Sequence, residues 1–221
     1  MDASFSVQYE PQPLPPTGRD VGVDVGIASL LTTSDGEKAP NQAWYRSEQR
    51  KLRILQRRVA RRSKGGMNRR KAVVLLRRQH ERIGNHRKDF LNKEAARLIG
   101  RYDRIAVEDL RITNLVKNRH LAKSILDAGW GSFIGRLHAK AEEAGRVVVE
   151  VNAAYTSKDC SQCGYRFEHL TLKERWLDCP RCGLSLDRDH NAAINILKRG
   201  GELRWALSSS MDGLAQEAVA L

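Results

Sequence analysis

Four cysteines, Cys160, Cys163, Cys179 and Cys182, fall within 23 positions, and the sequence holds no others. Each Cys-x-x-Cys pair can present two thiolates from one tight turn. The 15-residue gap between the pairs fits the spacing of a four-cysteine zinc site. Four sulfur ligands close a tetrahedron and leave no open position, so the expected zinc is structural. Reduced core cysteines or a redox pair are the plainer alternatives, and the spacing favours zinc.

Three carboxylates form the second chemical feature. Asp24 sits in the apolar stretch VGVDVG between glycines that would admit a ligand, Glu108 closes the apolar stretch IAVE, and Asp189 opens the segment HNAAINIL. A carboxylate inside or closing a buried strand is costly unless it is paired or binds metal. Each has a bland reading taken alone: a turn residue for Asp24, a rim charge for Glu108, a helix N-cap for Asp189. Two strand ends and a helix start can instead bring all three to one point. Such an oxygen-only site suits Mg²⁺, and two such ions could promote hydrolysis of a phosphodiester.

The third feature is charge. Between Arg46 and Lys88 stand 17 Lys and Arg, opposed among acidic residues only by Glu48 and Glu81. A solvated helix face usually mixes signs, and one-sided charge repels itself unless phosphates neutralise it. Candidate phosphate contacts are Arg57, Arg58, Arg61, Arg62, Arg69, Arg70, Arg77, Arg78, Arg87 and Lys88. The whole chain carries a formal charge of +13, which favours a polyanionic partner and nucleic acid first.

The elements that must position these groups can be read from hydrophobic periodicity. DVGVDVGIASLLTTSDG reads as two strands around a bend at Gly26 with a hairpin turn at SDG, and KAPNQAWYR offers a third strand. Helical patterns run from about 42 to 62 and from about 68 to 100, joined by SKGGMN. YDRIAVEDL is a short buried strand, a helix from about 121 to 144 stops at Gly145, and RVVVEV is another strand. A last helix starts near Asp189. Phe5, Val7 and Tyr9 alternate as an isolated strand before the Pro-rich PQPLPPTG, and Trp205 and Leu207 could dock a weakly patterned tail. Strands followed by a strand–helix–strand unit imply an α/β domain with a mixed sheet.

Other classes find little support. No apolar run is long enough to span a bilayer, and the first residues lack the features of a secretory signal. Clustered cysteines also speak against a secreted disulfide scaffold, so a cytoplasmic protein is expected. Trp130 and Phe133 read as core residues rather than a cofactor pocket, so no small-molecule cofactor is expected. His190 beside Asp189 could touch a phosphate or simply lie at the surface, and His86 and Arg87 read as backbone contacts rather than acid–base groups.

The segments GVDVGIASLLTTSDG, YDRIAVEDLRITNL, YTSKDCSQCG and CPRCGLSLDRDHNAAINIL, in this order, resemble the TnpB (OrfB) proteins of bacterial insertion sequences, relatives of type V CRISPR effectors. The likeness runs from about residue 4 to 199. It implies an RNase H-like (RuvC) mixed sheet with flanking helices, interrupted by an inserted four-cysteine zinc ribbon. It implies further that Asp24, Glu108 and Asp189 are catalytic Mg²⁺ ligands, with Asp187 supporting them rather than joining them. DNA and a guide RNA are the implied partners. The implied organisation is a remnant strand of a wedge domain with its linker (1–17), a nuclease domain (18–156) bearing a basic helical hairpin (about 42–100), the ribbon (157–186), a final nuclease segment (187–200) and a tail (201–221). The family's large N-terminal half has no counterpart here, Ala153 stands where Pro is expected, and WLDCP is unusual before the third cysteine. The alternative is a nucleic-acid binder that does not cut, although none of the three carboxylates is lost. A stand-alone zinc-ribbon adaptor would leave the carboxylates and the basic helices unexplained.

Overall fold

The computed structural model describes residues 6–7, 10–171 and 174–202. The strand expected around Phe5 and Tyr9, and the tail with Trp205 and Leu207, lie outside the described residues.

Five strands form one sheet in the order β3-β2-β1-β4-β5: β1 (Asp20–Val25), β2 (Ser29–Thr33), β3 (Lys38–Pro40), β4 (Arg104–Glu108) and β5 (Val147–Val151). β1, β2 and β3 pair antiparallel, whereas β1–β4 and β4–β5 are parallel. Strands covered on both faces need near-continuous apolar sequence, and β1 and β4 have it. Val21, Val23, Ile105 and Val107 point to one face, where they pack with Leu91, Leu98, Phe133 and Leu137 from α2 (Met67–Arg101) and α5 (Trp130–Ala144).

A further helix, α6 (188–202), covers the other face. Ile196 packs there with Ala106 and Val151. Contact is closest at Gly22, where an added Cβ would lie 2.1 Å from the Ala193 carbonyl oxygen. The glycine on the N-terminal side of Asp24 therefore admits a helix rather than a ligand, which corrects the reading drawn from VGVDVG.

The basic segment forms α1 (Trp44–Ala60) and the first half of α2. Leu52 is the one fully buried residue of α1, and no residue of α2 before Phe90 joins the main core. At about 1.5 Å per residue, the 35-residue α2 is roughly 50 Å long, so this hairpin projects beyond the sheet.

The single helix expected over 121–144 is broken. After a short turn of helix, α3 (Ile112–Leu115), the chain forms α4 (Ala122–Ala128) and then α5, with Gly129 between them at φ 73°. That left-handed geometry costs glycine nothing. The break turns the end of α4 toward α1, where the Asp127 carboxylate accepts hydrogen bonds from the Tyr45 and Arg46 amides at the start of α1 and from Arg87 of α2.

The Pro-rich segment is irregular, as expected, yet fastened to the body. The Leu14 amide donates to Ala144 O, the buried Arg146 guanidinium to Pro15 O, and Asp103 accepts from the Thr17 and Gly18 amides. No helix among the described residues is long and apolar enough to cross a membrane.

Candidate functional site

Asp24 and Glu108 stand one position beyond the paired residues Val23 and Val107 of the parallel strands β1 and β4. They are therefore lateral neighbours at the same end of the sheet. By strand alternation they share the face of Gly22 and Ala106, which is the face covered by α6. Asp189 lies in the first turn of that helix, one turn before the Ala193 that presses on Gly22. The fold thus brings the three carboxylates to one end of one face.

Their electrostatics reflect that crowding. Burial, reinforced by the negative charges of Glu108, Asp189 and Asp187, pushes the Asp24 carboxyl well above its ordinary value, against a weaker pull from Arg188. Burial also raises Glu108, opposed by a hydrogen bond from the Thr156 hydroxyl and by the Arg199 charge. Asp187 behaves differently. Burial would raise it, but an ion pair with Lys38 at 2.8 Å and the amides of His190 and Asp189 hold it below its ordinary value. Asp187, not Asp189, therefore caps α6, accepting from the Asp189 and His190 amides at 3.1 Å. That removes capping as an account of Asp189, whose carboxylate instead lies 3.8 Å from Arg175.

Burial makes Asp24 and Glu108 resist ionisation, and acidic neighbours add to this at Asp24. A divalent cation would relieve such carboxylates, and an all-oxygen donor set suits Mg²⁺.

The cysteines build a second centre. Cys160 and Cys163, like Cys179 and Cys182, lie on equivalent turns: the Cys160 amide donates to Tyr165 O and Gly164 to Cys160 O, while the Cys179 amide donates to Leu184 O and Gly183 to Cys179 O. A two-stranded ribbon, β6 (Trp176–Asp178) and β7 (Ser185–Asp187), leads directly into α6. The sulfurs of Cys160 and Cys182 are 3.7 Å apart, those of Cys163 and Cys179 3.6 Å, and all four lie within 4.8 Å of one another. A tetrahedron with metal–sulfur bonds of about 2.3 Å has edges of about 3.8 Å, so the cluster fits zinc. Burial raises the Cys179 thiol, but hydrogen bonds from backbone amides and neighbouring thiols outweigh it and bring it to about 7.

The two centres are tied together through α6. Asn191 accepts from the Ser161 amide and donates to Asp159 O, and Asn195 donates to Thr156 O and Asp159 O. Both side chains are buried. They fix the turn that runs from Thr156 toward Cys160, and the Thr156 hydroxyl reaches Glu108. Sequence reasoning missed Asn191, Asn195, Thr156 and Asp127. The two asparagines had a signal, since polar residues four apart on an otherwise apolar helix face ask for buried partners.

The basic residues are not alike. Arg57, Arg58, Arg61 and Arg62 are exposed and, with Ile54, line a surface cleft of about 530 Å³. Arg70, Arg77, Arg78 and Lys88 are also exposed. Arg69 is half-buried and donates to Val59 O near the hairpin tip, and Arg87 is held by Asp127. His86 lies against the Trp44 ring, and the His190 ring contacts Ser34 O at 3.0 Å. Trp130 and Phe133 are buried in the core, with the Trp130 indole donating to Gly26 O.

The mixed sheet with its flanking helices and cysteine ribbon has the fold of Cas12f chains. It superposes on the cryo-EM structure of a Cas12f1–sgRNA–target DNA complex with a TM-score of 0.61 and 16% identity, covering 84% of this chain and 51% of that one. A CRISPR–Cas12f ternary complex gives the same score at 20% identity, covering 88% and 41%. The sequence is more specific. Residues 4–119 match the model of the OrfB proteins of IS605, described as "Probable transposase", and residues 130–196 match the Cas12f1-like TNB domain. The chain belongs to this OrfB (TnpB) family. A Streptomyces pristinaespiralis protein named "Putative RNA-guided DNA endonuclease" is 40% identical over 91% of this chain and 49% of its own length. Its Escherichia coli (strain K12) counterpart InsQ is 32% identical over 89% and 53%. The chain spans about half the length of these curated relatives.

Proposed function

We propose that the chain carries a metal-dependent DNA endonuclease domain of RuvC type, which hydrolyses phosphodiester bonds at Asp24, Glu108 and Asp189. The observation that carries this reading is the convergence of the three carboxylates, from β1, β4 and the first turn of α6, on one face of the sheet. The mixed sheet with helices on both faces supports an RNase H-like assignment for residues 18–156 and 187–200, with 157–186 as the inserted zinc ribbon.

Asp24, Glu108 and Asp189 would hold Mg²⁺, which would supply Lewis-acid activation of water and charge stabilisation at the phosphate. The chain's own contribution is placement. β1 and β4 hold Asp24 and Glu108 side by side in register. Asp187 caps α6 and takes the Lys38 charge, so neither task falls to the Asp189 carboxylate, whose ionic neighbour is Arg175 at 3.8 Å. Thr156 holds one Glu108 oxygen, which fixes the direction of the other. The cysteines, with zinc, anchor the turn segment before them and the helix after them. Arg57, Arg58, Arg61, Arg62, Arg70, Arg77, Arg78 and Lys88 on the projecting hairpin supply the phosphate-binding charge, with DNA as substrate and a guide RNA as partner. The names of the relatives support both partners.

The test is cleavage of labelled single- and double-stranded DNA with Mg²⁺ or EDTA, with and without RNA co-purified with the protein, beside Asp24→Asn. Metal-dependent cutting that is lost in the variant is expected. Salt-sensitive binding without cutting in any condition would instead identify a non-cleaving nucleic-acid binder.

A further inference from the structure

Tyr155 is half-exposed and has a left-handed backbone, φ 65°, which an aromatic residue adopts at a cost. Ala43 is the other non-glycine residue with positive φ among those described, and it has a local account: it opens α1, and Asn41 accepts its amide. Tyr155 has no such account. The turn around it is held by its carbonyl, which accepts from the Lys158 and Asp159 amides, and a glycine would serve there without strain. Strain retained by an exposed aromatic points to a role for the ring.

The ring is also preorganised. The Arg166 guanidinium lies 3.9 Å from its centroid, and Asp159 holds that guanidinium by two bonds of 2.8 and 3.1 Å. One ring face is thus backed by a fixed cation, while half of the residue stays open to solvent. The next residue, Thr156, donates its hydroxyl to Glu108. Successive Cα atoms are about 3.8 Å apart, so the Tyr155 backbone stands one residue from the side chain that holds Glu108. On the side of β4 and β5, residues Asp109, Arg111, Asn152 and Ala153 line an open cleft of about 620 Å³.

We propose that Tyr155, backed by Arg166, is a stacking platform for one unpaired base of the DNA strand that enters the carboxylate site. This deepens the nuclease reading and rests on it. A base inside a duplex has both faces covered, so only an unpaired base can stack, and an aromatic face accepts any of the four. Held there, the base would fix its nucleotide against the site, which makes Tyr155 a positioning residue.

The test uses a short single-stranded DNA carrying 2-aminopurine at alternate positions, whose fluorescence falls on stacking. Titrations are run in EDTA, so that no strand is cut. The parent and Tyr155→Phe should quench alike. Tyr155→Gly should lose a clear share of the quenching and bind on the order of tenfold more weakly. Relief of backbone strain should let it melt no lower than the parent. Equal quenching by parent and Tyr155→Gly, an affinity loss accompanied by a lower melting point, or no binding by the parent would each overturn the proposal. Cleavage in Mg²⁺ reports on the carboxylates and quenching in EDTA on the ring, so failure of one is distinguishable from failure of the other.

Discussion

Gly22→Ala adds one methyl group where α6 leaves no room for it. The new Cβ would lie 2.1 Å from Ala193 O, 2.6 Å from the Leu197 amide nitrogen and 2.8 Å from Leu197 Cβ, whereas ordinary contact begins at 3.4 Å. The two shortest contacts are to backbone, so no rotamer change relieves them, and β1 and α6 must part by about 1 Å. Overpacking a core costs roughly 1–3 kcal/mol, and a rigid neighbour places this case near 3 kcal/mol. At this chain length 1 kcal/mol moves the melting point by about 2–4 °C, which predicts a fall of roughly 6–12 °C. Because Asp189 rides on the same helix, the carboxylates separate as well, and a misplacement of about 1 Å can cost a hundredfold in rate. Thermal melting by circular dichroism and single-turnover cleavage read the two effects. Gly84→Ala is the control: nothing lies within 4 Å of its added methyl, and replacing glycine inside a helix should add about 1 kcal/mol of stability. A Gly22→Ala variant that melts with the parent, while Gly84→Ala shifts as expected, would refute the seating of α6 on β1.

Further outcomes follow from the same geometry. Asp127→Ala removes both the start-of-helix acceptor of α1 and the partner of Arg87, and should cost about 3 kcal/mol by chemical denaturation, with Asp127→Asn costing less. Metal analysis should find one zinc per chain, and Cys179→Ser should lose it, with hydrogen exchange rising across the cysteine module while β1 and β4 stay protected. Replacing Arg57 and Arg58 together by Ala should lower the salt-dependence slope of single-strand binding by about 1.4, measured by anisotropy across a salt series. Asp24 and Glu108 have raised pKa values in the folded state. Their contribution to metal-free stability is therefore fully present below the ordinary carboxylate range and is lost as pH rises through the raised values. The metal-free melting point should thus gain from Asp24→Asn at alkaline pH. Added Mg²⁺ should raise the melting point of the parent more as pH rises, and that of the variant little.

Much of this site was legible because its signals are local. Each Cys-x-x-Cys turn closes on its own backbone, so spacing alone announces it. The apolar runs around Val21 and Ile105 read as strands because two covered faces leave no room for alternation. The run around Val148 reads the same way although it forms the half-exposed edge strand β5. What escaped depends on contacts distant in sequence. Asp127 meets Tyr45 across 82 positions, and nothing in LDAGW marks an acceptor for another helix. Gly129 falls inside a good helical pattern, and only the turn toward α1 shows it as a break. The segment DRDH offers two possible caps, and the lysine that settles Asp187 against its rival sits on β3. The Pro-rich stretch was correctly irregular, but no local pattern could reveal Asp103 and Arg146 fastening it.

The cysteine module and the carboxylates are distinct pieces of chemistry joined by a short polar seam. Asn191 and Asn195 satisfy backbone groups of the turn segment that runs from Thr156 to Ser161, and Thr156 in turn satisfies Glu108. Buried amides of this kind leave unpaired donors and acceptors when one partner moves, at about 1–3 kcal/mol each. The seam therefore resists sliding of the ribbon relative to α6. A metal ion at the cysteines, with no open position for chemistry, can accordingly act on the site by holding two of its three carboxylates in place. Glu108 is held through the turn before the first cysteine, and Asp189 through the helix after the last.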